Sequence, residues 1–131
     1  MFELSDDIRK LFDGPNVAHV ATLLPDGAPH SAPMWADLDR GRIAIMTSLG
    51  SRKGRNLTRD PRVGISILDH TNPFVSAYVR GRVVEVVTGD AGWAIVDRLS
   101  NKYLGMDYGR DQDRVAMLIE PEHASFFNPG A

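Results

Sequence analysis

The sequence predicts a mainly β domain, a small closed barrel with short flanking helices. Three observations carry that expectation. Short runs rich in Val, Ile, Thr and aromatic residues recur along the chain, and turn residues such as Pro25-Asp26-Gly27 and Asp39-Arg40-Gly41 separate them. Helical patterning is confined to a few short segments. At 131 residues the chain suits one domain, 1–131, with a modest core. Closing such a sheet on itself removes exposed strand edges.

The elements follow in order. Ser5 is a good N-cap, Asp6 and Asp7 suit a first helical turn, and Ile8, Leu11 and Phe12 form one apolar stripe before Gly14 and Pro15 stop the helix. "NVAHVATLL" and "APHSAPMWADL" flank Pro25-Asp26-Gly27 as a hairpin, and "RIAIMT" adds a third strand. A basic segment follows. "RVGISIL" and "FVSAYVRGRVVEVV" read as further strands, the second one divided or bent near Gly81. Asp90 can cap a helix running to Tyr103, with Trp93, Val96, Leu99 and Tyr103 near one face. "RVAMLIEP" and "ASFF" supply one or two closing strands.

Several of these strands are apolar on both faces. In the first, Val17, Ala21 and Leu23 alternate with Ala18, Val20 and Leu24. A barrel interior buries one such set; the other calls for a helix, a ligand or a second copy of the chain. A homodimer is the reading adopted.

The formal net charge of -2 argues against broad binding to nucleic acid or an anionic membrane, while leaving room for a local anion site. The chain has no cysteine, so disulfides, thiolate metal sites and thiol nucleophiles are excluded. The N-terminal "MFELSDDIRK" is too acidic for a signal peptide and no apolar run is long enough to span a bilayer, so a soluble cytoplasmic domain is expected. His19, His30, His70 and His123 lack metal-ligand spacing, and Asp107, Asp111 and Asp113 in "DYGRDQD" lack the calcium-loop pattern, so no metal is expected and that segment reads as a mobile, solvated loop.

The stretch from Thr47 to Arg62, "TSLGSRKGRNLTRDPR", concentrates Arg52, Lys53, Arg55, Arg59 and Arg62 after an apolar strand. Ser51 to Arg59 can form about two helical turns, yet Leu57 is its sole large apolar residue. Helix N-termini expose free N–H groups and favour anions. Thr47, Ser48 and Ser51 offer hydroxyls there, Gly50 permits close backbone approach, Arg52 and Lys53 bring charge, and Asn56 lies one turn further on. These features describe a phosphate site; a solvated basic face is the alternative. The glycine-lysine-hydroxyl spacing of a nucleotide P-loop is absent.

The ordered set of motifs resembles the split β-barrel proteins related to pyridoxamine 5'-phosphate oxidase, and within them the actinobacterial branch that uses the deazaflavin coenzyme F420. It comprises Val20–Leu23, Asp26–Pro29, Pro33–Trp35, Thr47–Leu57 and Asp60–Val63, with "NPF", "VRGRVVEV" and "LSNKYLGMDY" later. The resemblance implies a six-stranded antiparallel split barrel that dimerises, with a cofactor in each interface groove. It implies a phosphate-bearing tail over Thr47, Ser48, Lys53 and Asn56, and a tricyclic ring against Pro33, Met34 and Trp35. Ser51 stands where the deazaflavin branch often has Arg. Ser51-Arg52-Lys53 instead reproduces a triplet that holds the FMN phosphate in the oxidases, but the basic pair those oxidases carry on the preceding strand is missing here. F420 is therefore favoured over FMN.

Such a coenzyme carries the hydride chemistry, so the protein mainly binds and orients. The implied function is an F420-dependent oxidoreductase reducing an unsaturated or quinone-like small molecule. An FMN-binding flavoprotein and a non-catalytic carrier of a cofactor or tetrapyrrole are the alternatives. Tyr78, Tyr103 and Tyr108 are candidates for the substrate side, against packing with one satisfied hydroxyl. Trp35 can stack on the ring or serve as a core or interface aromatic, and Met34 reads as packing.

Overall fold

A computed structural model describes residues 2–130. Helix α1 (Asp6–Asp13) leads into strands β1 (Ala18–Leu23), β2 (Pro29–Met34), β3 (Asp37–Asp39) and β4 (Arg42–Thr47). Then come α2 (Arg52–Arg59), β5 (Arg62–Asp69), β6 (Asn72–Val87), α3 (Gly89–Leu104) and β7 (Val115–Phe127). The strands form one seven-stranded antiparallel sheet in the order β2-β1-β5-β6-β7-β4-β3.

The two ends of that order are consecutive in the chain. Only Trp35 and Ala36 separate Met34, at the end of β2, from Asp37, at the start of β3. So short a link reaches about 10 Å at most, so the two sheet edges must meet. The sheet therefore curls into a barrel whose wall is split at Trp35–Ala36.

Helix α3 fastens this seam. The Tyr103 hydroxyl accepts from Ala36 N at 3.1 Å and donates to Asn16 O at 2.6 Å. Lys102 Nζ donates to Phe12 O at 2.6 Å and Ala36 O at 2.5 Å, and lies 3.4 Å from Asp37 Oδ1. Backbone groups that no strand partner satisfies are thus met by side chains. Burial lowers the Lys102 pKa, opposed by the Asp37 carboxylate beside it.

Inside the barrel, Val20, Ile43, Ile45, Ile65, Ile67, Val79, Met117 and Ile119 form the core, and Ile8, Leu11 and Phe12 of α1 pack against it. Ser5 caps α1, its hydroxyl accepting from Ile8 N at 3.4 Å. A second cluster lies outside the wall, where Ile95 and Leu99 of α3 cover Ala44, Ala116 and Leu118. The second apolar face of β4 and β7 is thereby buried by a helix. That of β1, β5, β6 and the end of β7 is not: Val17, Leu68, Tyr78 and Phe127 are 45%, 43%, 40% and 60% exposed.

Three details differ from expectation. The strand expected over "APHSAPMWADL" breaks at the seam, giving seven strands where six were expected. Within the expected alternatives, the two closing segments form one strand, and β6 is a single strand whose register shifts at Arg80/Gly81, where a break or bend was expected, and again at Val83/Glu85. A Cβ on Gly81 would stand 2.2 Å from Glu120 O, so only glycine permits this approach of β6 to β7. Thr88, not Asp90, occupies the N-cap of α3, and Asp90 sits in its first turn. Trp93 lies outside the buried stripe of α3, which runs through Gly92, Ile95, Val96, Leu99 and Ser100. No helix among the described residues is long and apolar enough to cross a membrane.

Tyr103→Phe removes the acceptor for Ala36 N and the donor for Asn16 O at a half-buried site. Urea unfolding of this variant is expected to show a loss of about 1–3 kcal/mol; an unchanged midpoint would show that packing alone holds the seam.

Candidate functional site

A groove of about 500 Å³ opens where β2, β4 and α2 converge. One wall is apolar, made by Val17, Pro33, Met34, Trp35 and Met46. The opposite end is polar, made by Thr47, Ser48, Ser51, Lys53 and Arg114, and Tyr108 completes the lining. None of the described residues that line it is acidic.

The polar end is the start of α2. Ser51 is the N-cap; its hydroxyl accepts from Gly54 N at 3.1 Å and donates to Ser48 O at 2.7 Å, and Thr47 Oγ1 stands 3.0 Å from it. That hydroxyl is therefore committed to the cap, and the amides of the first turn, Arg52 and Lys53, remain without an intrahelical acceptor. Gly54 is required by contact: a Cβ there would stand 2.2 Å from Ser48 O. Such a short helix is held by tertiary contacts. Leu57 is buried in the core, and fully buried Asn56 donates from Nδ2 to Thr22 Oγ1 on β1 at 3.0 Å.

The aromatic wall is braced from behind. Trp35 stacks on Tyr103 with centroids 5.3 Å apart and ring planes at 8°, and meets Tyr108 edge-on at 6.2 Å. Burial raises the Tyr103 pKa, so the hydroxyl stays protonated and available to the seam. Tyr108 belongs to the "DYGRDQD" segment. That segment is tied to α3: Asp97 accepts from Tyr108 N at 3.1 Å and from both Arg110 terminal nitrogens at 2.9 and 2.7 Å.

Lys53 is half-buried, and its pKa is lowered first by desolvation and then by the Arg114 charge. An anion bound between the two cations would offset both costs by direct attraction. A groove of about 500 Å³ that combines an apolar wall with free amides and two cations suits an aromatic ligand with an anionic tail.

The groove brings together Pro33, Met34, Trp35, Thr47, Ser48, Ser51, Lys53 and Tyr108 from the expected set. It does not bring Arg52, which is exposed away from the lining, or Asn56, whose amide is turned into the barrel wall. Tyr103 supports Trp35 from behind, and Tyr78 lines a separate hollow with Leu23, Pro29 and Arg80. Sequence reasoning missed Arg114, Val17 and Met46. Each is a single residue at a strand end, without a local pattern to mark it.

Comparison with known proteins follows from this geometry. Residues 4–128 match the family model described as pyridoxamine 5'-phosphate oxidase. The chain belongs to this family. Among solved structures, an F420 reductase is 30% identical, with a TM-score of 0.79 over 89% of this chain and 94% of that one. A conserved hypothetical protein of Mycobacterium tuberculosis, Rv2991, is 26% identical, with a TM-score of 0.75 over 95% of this chain and 85% of that one. A heme binding protein of Mycobacterium smegmatis is 25% identical, with a TM-score of 0.68 over all of this chain (100%) but 57% of that one. No protein of curated function matches. The family shares its split-barrel fold with this chain and includes oxidoreductases.

Because burial and the Arg114 charge hold the Lys53 amine below the ordinary lysine range, a phosphorylated ligand that depends on it should begin to lose affinity at a lower pH than an ordinary lysine would allow, and lose more as pH rises. Lys53→Arg, which stays charged, is expected to flatten that loss. A flat profile in the unmodified protein, measured by titration with FMN, would show that the amine takes no part.

Proposed function

We propose that the chain is an F420-dependent oxidoreductase that reduces an unsaturated or quinone-like small molecule by hydride transfer. The observation that carries this reading is the union, in one groove, of the Pro33–Trp35 wall with the cationic start of α2. The 30% identity to an F420 reductase over 89% of the chain supports the choice of deazaflavin. So does the absence of a basic pair on β2, whose residues Pro29 to Met34 include no Arg or Lys.

When bound, the deazaflavin supplies the hydride chemistry. The chain's own residues bind and orient. Pro33, Met34 and Trp35 form the face against which a ring lies, and Tyr103 prevents Trp35 from swinging away. Thr47, Ser48, the cap at Ser51 and Lys53 hold the phosphate end. Tyr108, at right angles to Trp35, closes the substrate side and excludes water.

The protein acts as a homodimer with a groove at each interface. Support comes from the outward face of β1, β5, β6 and β7, where Val17, Leu68, Tyr78 and Phe127 form an uncovered apolar surface. Tyr78, remote from the groove of its own chain, lies on that face.

A second reading has its own support. The family's namesake activity is that of pyridoxamine 5'-phosphate oxidase, and Arg114 restores a cation that β2 lacks, as an FMN phosphate would need. The heme binding protein of Mycobacterium smegmatis is the corresponding support for a carrier.

Titration of apoprotein with F420, followed by coenzyme fluorescence, is expected to saturate in the micromolar range. Lys53→Ala should weaken binding by about 1.5–3 kcal/mol. No saturable F420 binding at tens of micromolar, or an undiminished affinity in the variant, overturns the assignment. A yellow protein releasing FMN on denaturation favours the second reading.

A further inference from the structure

Two cations face the groove, and the chain works to keep them there. Lys53 comes from α2 and Arg114 from the residue just before β7. Their charges repel, and burial adds to the cost. Among the described residues, Arg114 donates to neutral acceptors: Asp113 O at 2.8 Å, Gln112 Oε1 at 3.0 Å and Tyr108 Oη at 3.3 Å. An unrestrained arginine at a loop end would swing into water.

It is restrained by a clasp. Trp93, Asp97 and Asn101 recur at four-residue spacing on α3 and so form one stripe. The segment preceding β7 lies along that stripe. Arg110 Cζ stands 3.9 Å from the centre of the Trp93 ring while its guanidinium forks onto the Asp97 carboxylate. Asn101 Nδ2 donates to Asp107 Oδ1 at 2.7 Å. The Arg110 fork holds the Asp97 carboxyl below the usual range, so the clasp is closed at neutral pH. A further cavity of about 400 Å³ shares Ser48 and Arg114 with the groove, and Asp113 also lines it.

Resting on the proposed coenzyme groove, we infer that Arg114 is a second anion-binding residue, held in place by the Asp97–Arg110 clasp, and that the natural ligand brings at least two negative charges to this end. One source is a phosphate monoester, dianionic at neutral pH, shared between Lys53 and Arg114. The other is a phosphodiester at Lys53 followed by a separate anionic group at Arg114. Asp97 is a positioning residue in either case, acting through the strap it holds.

FMN and riboflavin, which differ by the phosphate alone, separate charge recognition from shape. Arg114→Gln is expected to weaken FMN by roughly ten- to hundredfold, leave riboflavin unchanged, and be largely rescued by Arg114→Lys. Asp97→Asn should give a smaller loss of the same selective kind, rescued by Asp97→Glu. Coenzyme F420 and its phosphate-free deazariboflavin, compared in the same variants, locate the second charge. A selective loss with FMN places both charges on a monoester; a loss with F420 alone places the second beyond the diester. Equal weakening of charged and uncharged partners would make Arg114 a mere wall residue and overturn the inference, as would unchanged affinity for both charged coenzymes. Inorganic pyrophosphate separates this inference from the coenzyme reading. A rise in wild-type Tm that Arg114→Gln abolishes upholds the anion site even in a protein that takes neither coenzyme, and there it is the proposed function that falls. No pyrophosphate effect and no coenzyme binding overturns both.

Discussion

The fold closes across two residues. Trp35 and Ala36 join strands at opposite ends of the sheet order, so barrel closure and the position of Trp35 are one event. Ordinary ladder bonds are not available at that point, and Lys102 and Tyr103 take their place. The same helix that covers the outer apolar face of β4 and β7 therefore also determines where the aromatic wall of the groove stands. Stability and site geometry share their contacts here.

A second constraint is electrostatic. The chain is slightly acidic overall, yet the described residues around its groove include two cations and no carboxylate. Acidic residues are not scarce nearby. Asp97, Asp107, Asp111 and Asp113 lie on or beside the strap, but Asp97 pairs with Arg110 and Asp107 takes an amide from Asn101. The strap is thus fastened by an ion pair and an amide, and none of these four acids lines the groove that holds Lys53 and Arg114. Free amides at the start of α2 add to this field because the Ser51 cap satisfies Gly54 N and no more of the first turn.

These two constraints account for a fold that hosts different ligands in related proteins. On the proposed reading, the apolar wall would take a planar ring with little demand on its chemistry, whereas the cationic end would select by charge and by reach. On that reading, changes of one or two residues at the start of α2 or before β7 would retune coenzyme choice without touching the barrel interior of Ile43, Ile45, Ile65 and Ile67.

Much of this was legible in the sequence because it is local. Alternation in "NVAHVATLL" and "RVGISIL", the Asp-Gly turn and the Ser5 cap specify their elements within a few residues, and the run from Thr47 to Leu57 marks the candidate anion site proposed above through its hydroxyl, glycine and basic content. The two-faced apolar strands announced an outer covering. Only the tertiary structure decided that α3 is this covering for β4 and β7, since that burial depends on contacts between Ile95, Leu99 and strands far away in the chain. It also decided that Asn56 faces Thr22 rather than the groove, and that Tyr103 props Trp35. Arg114, too, joins Lys53 only through the fold, across a separation in sequence that no short-range pattern spans. Side-chain propensities and turn chemistry act over a few bonds and so can be read along the chain; which polar groups share a desolvated space is settled when the sheet curls and its two edges meet.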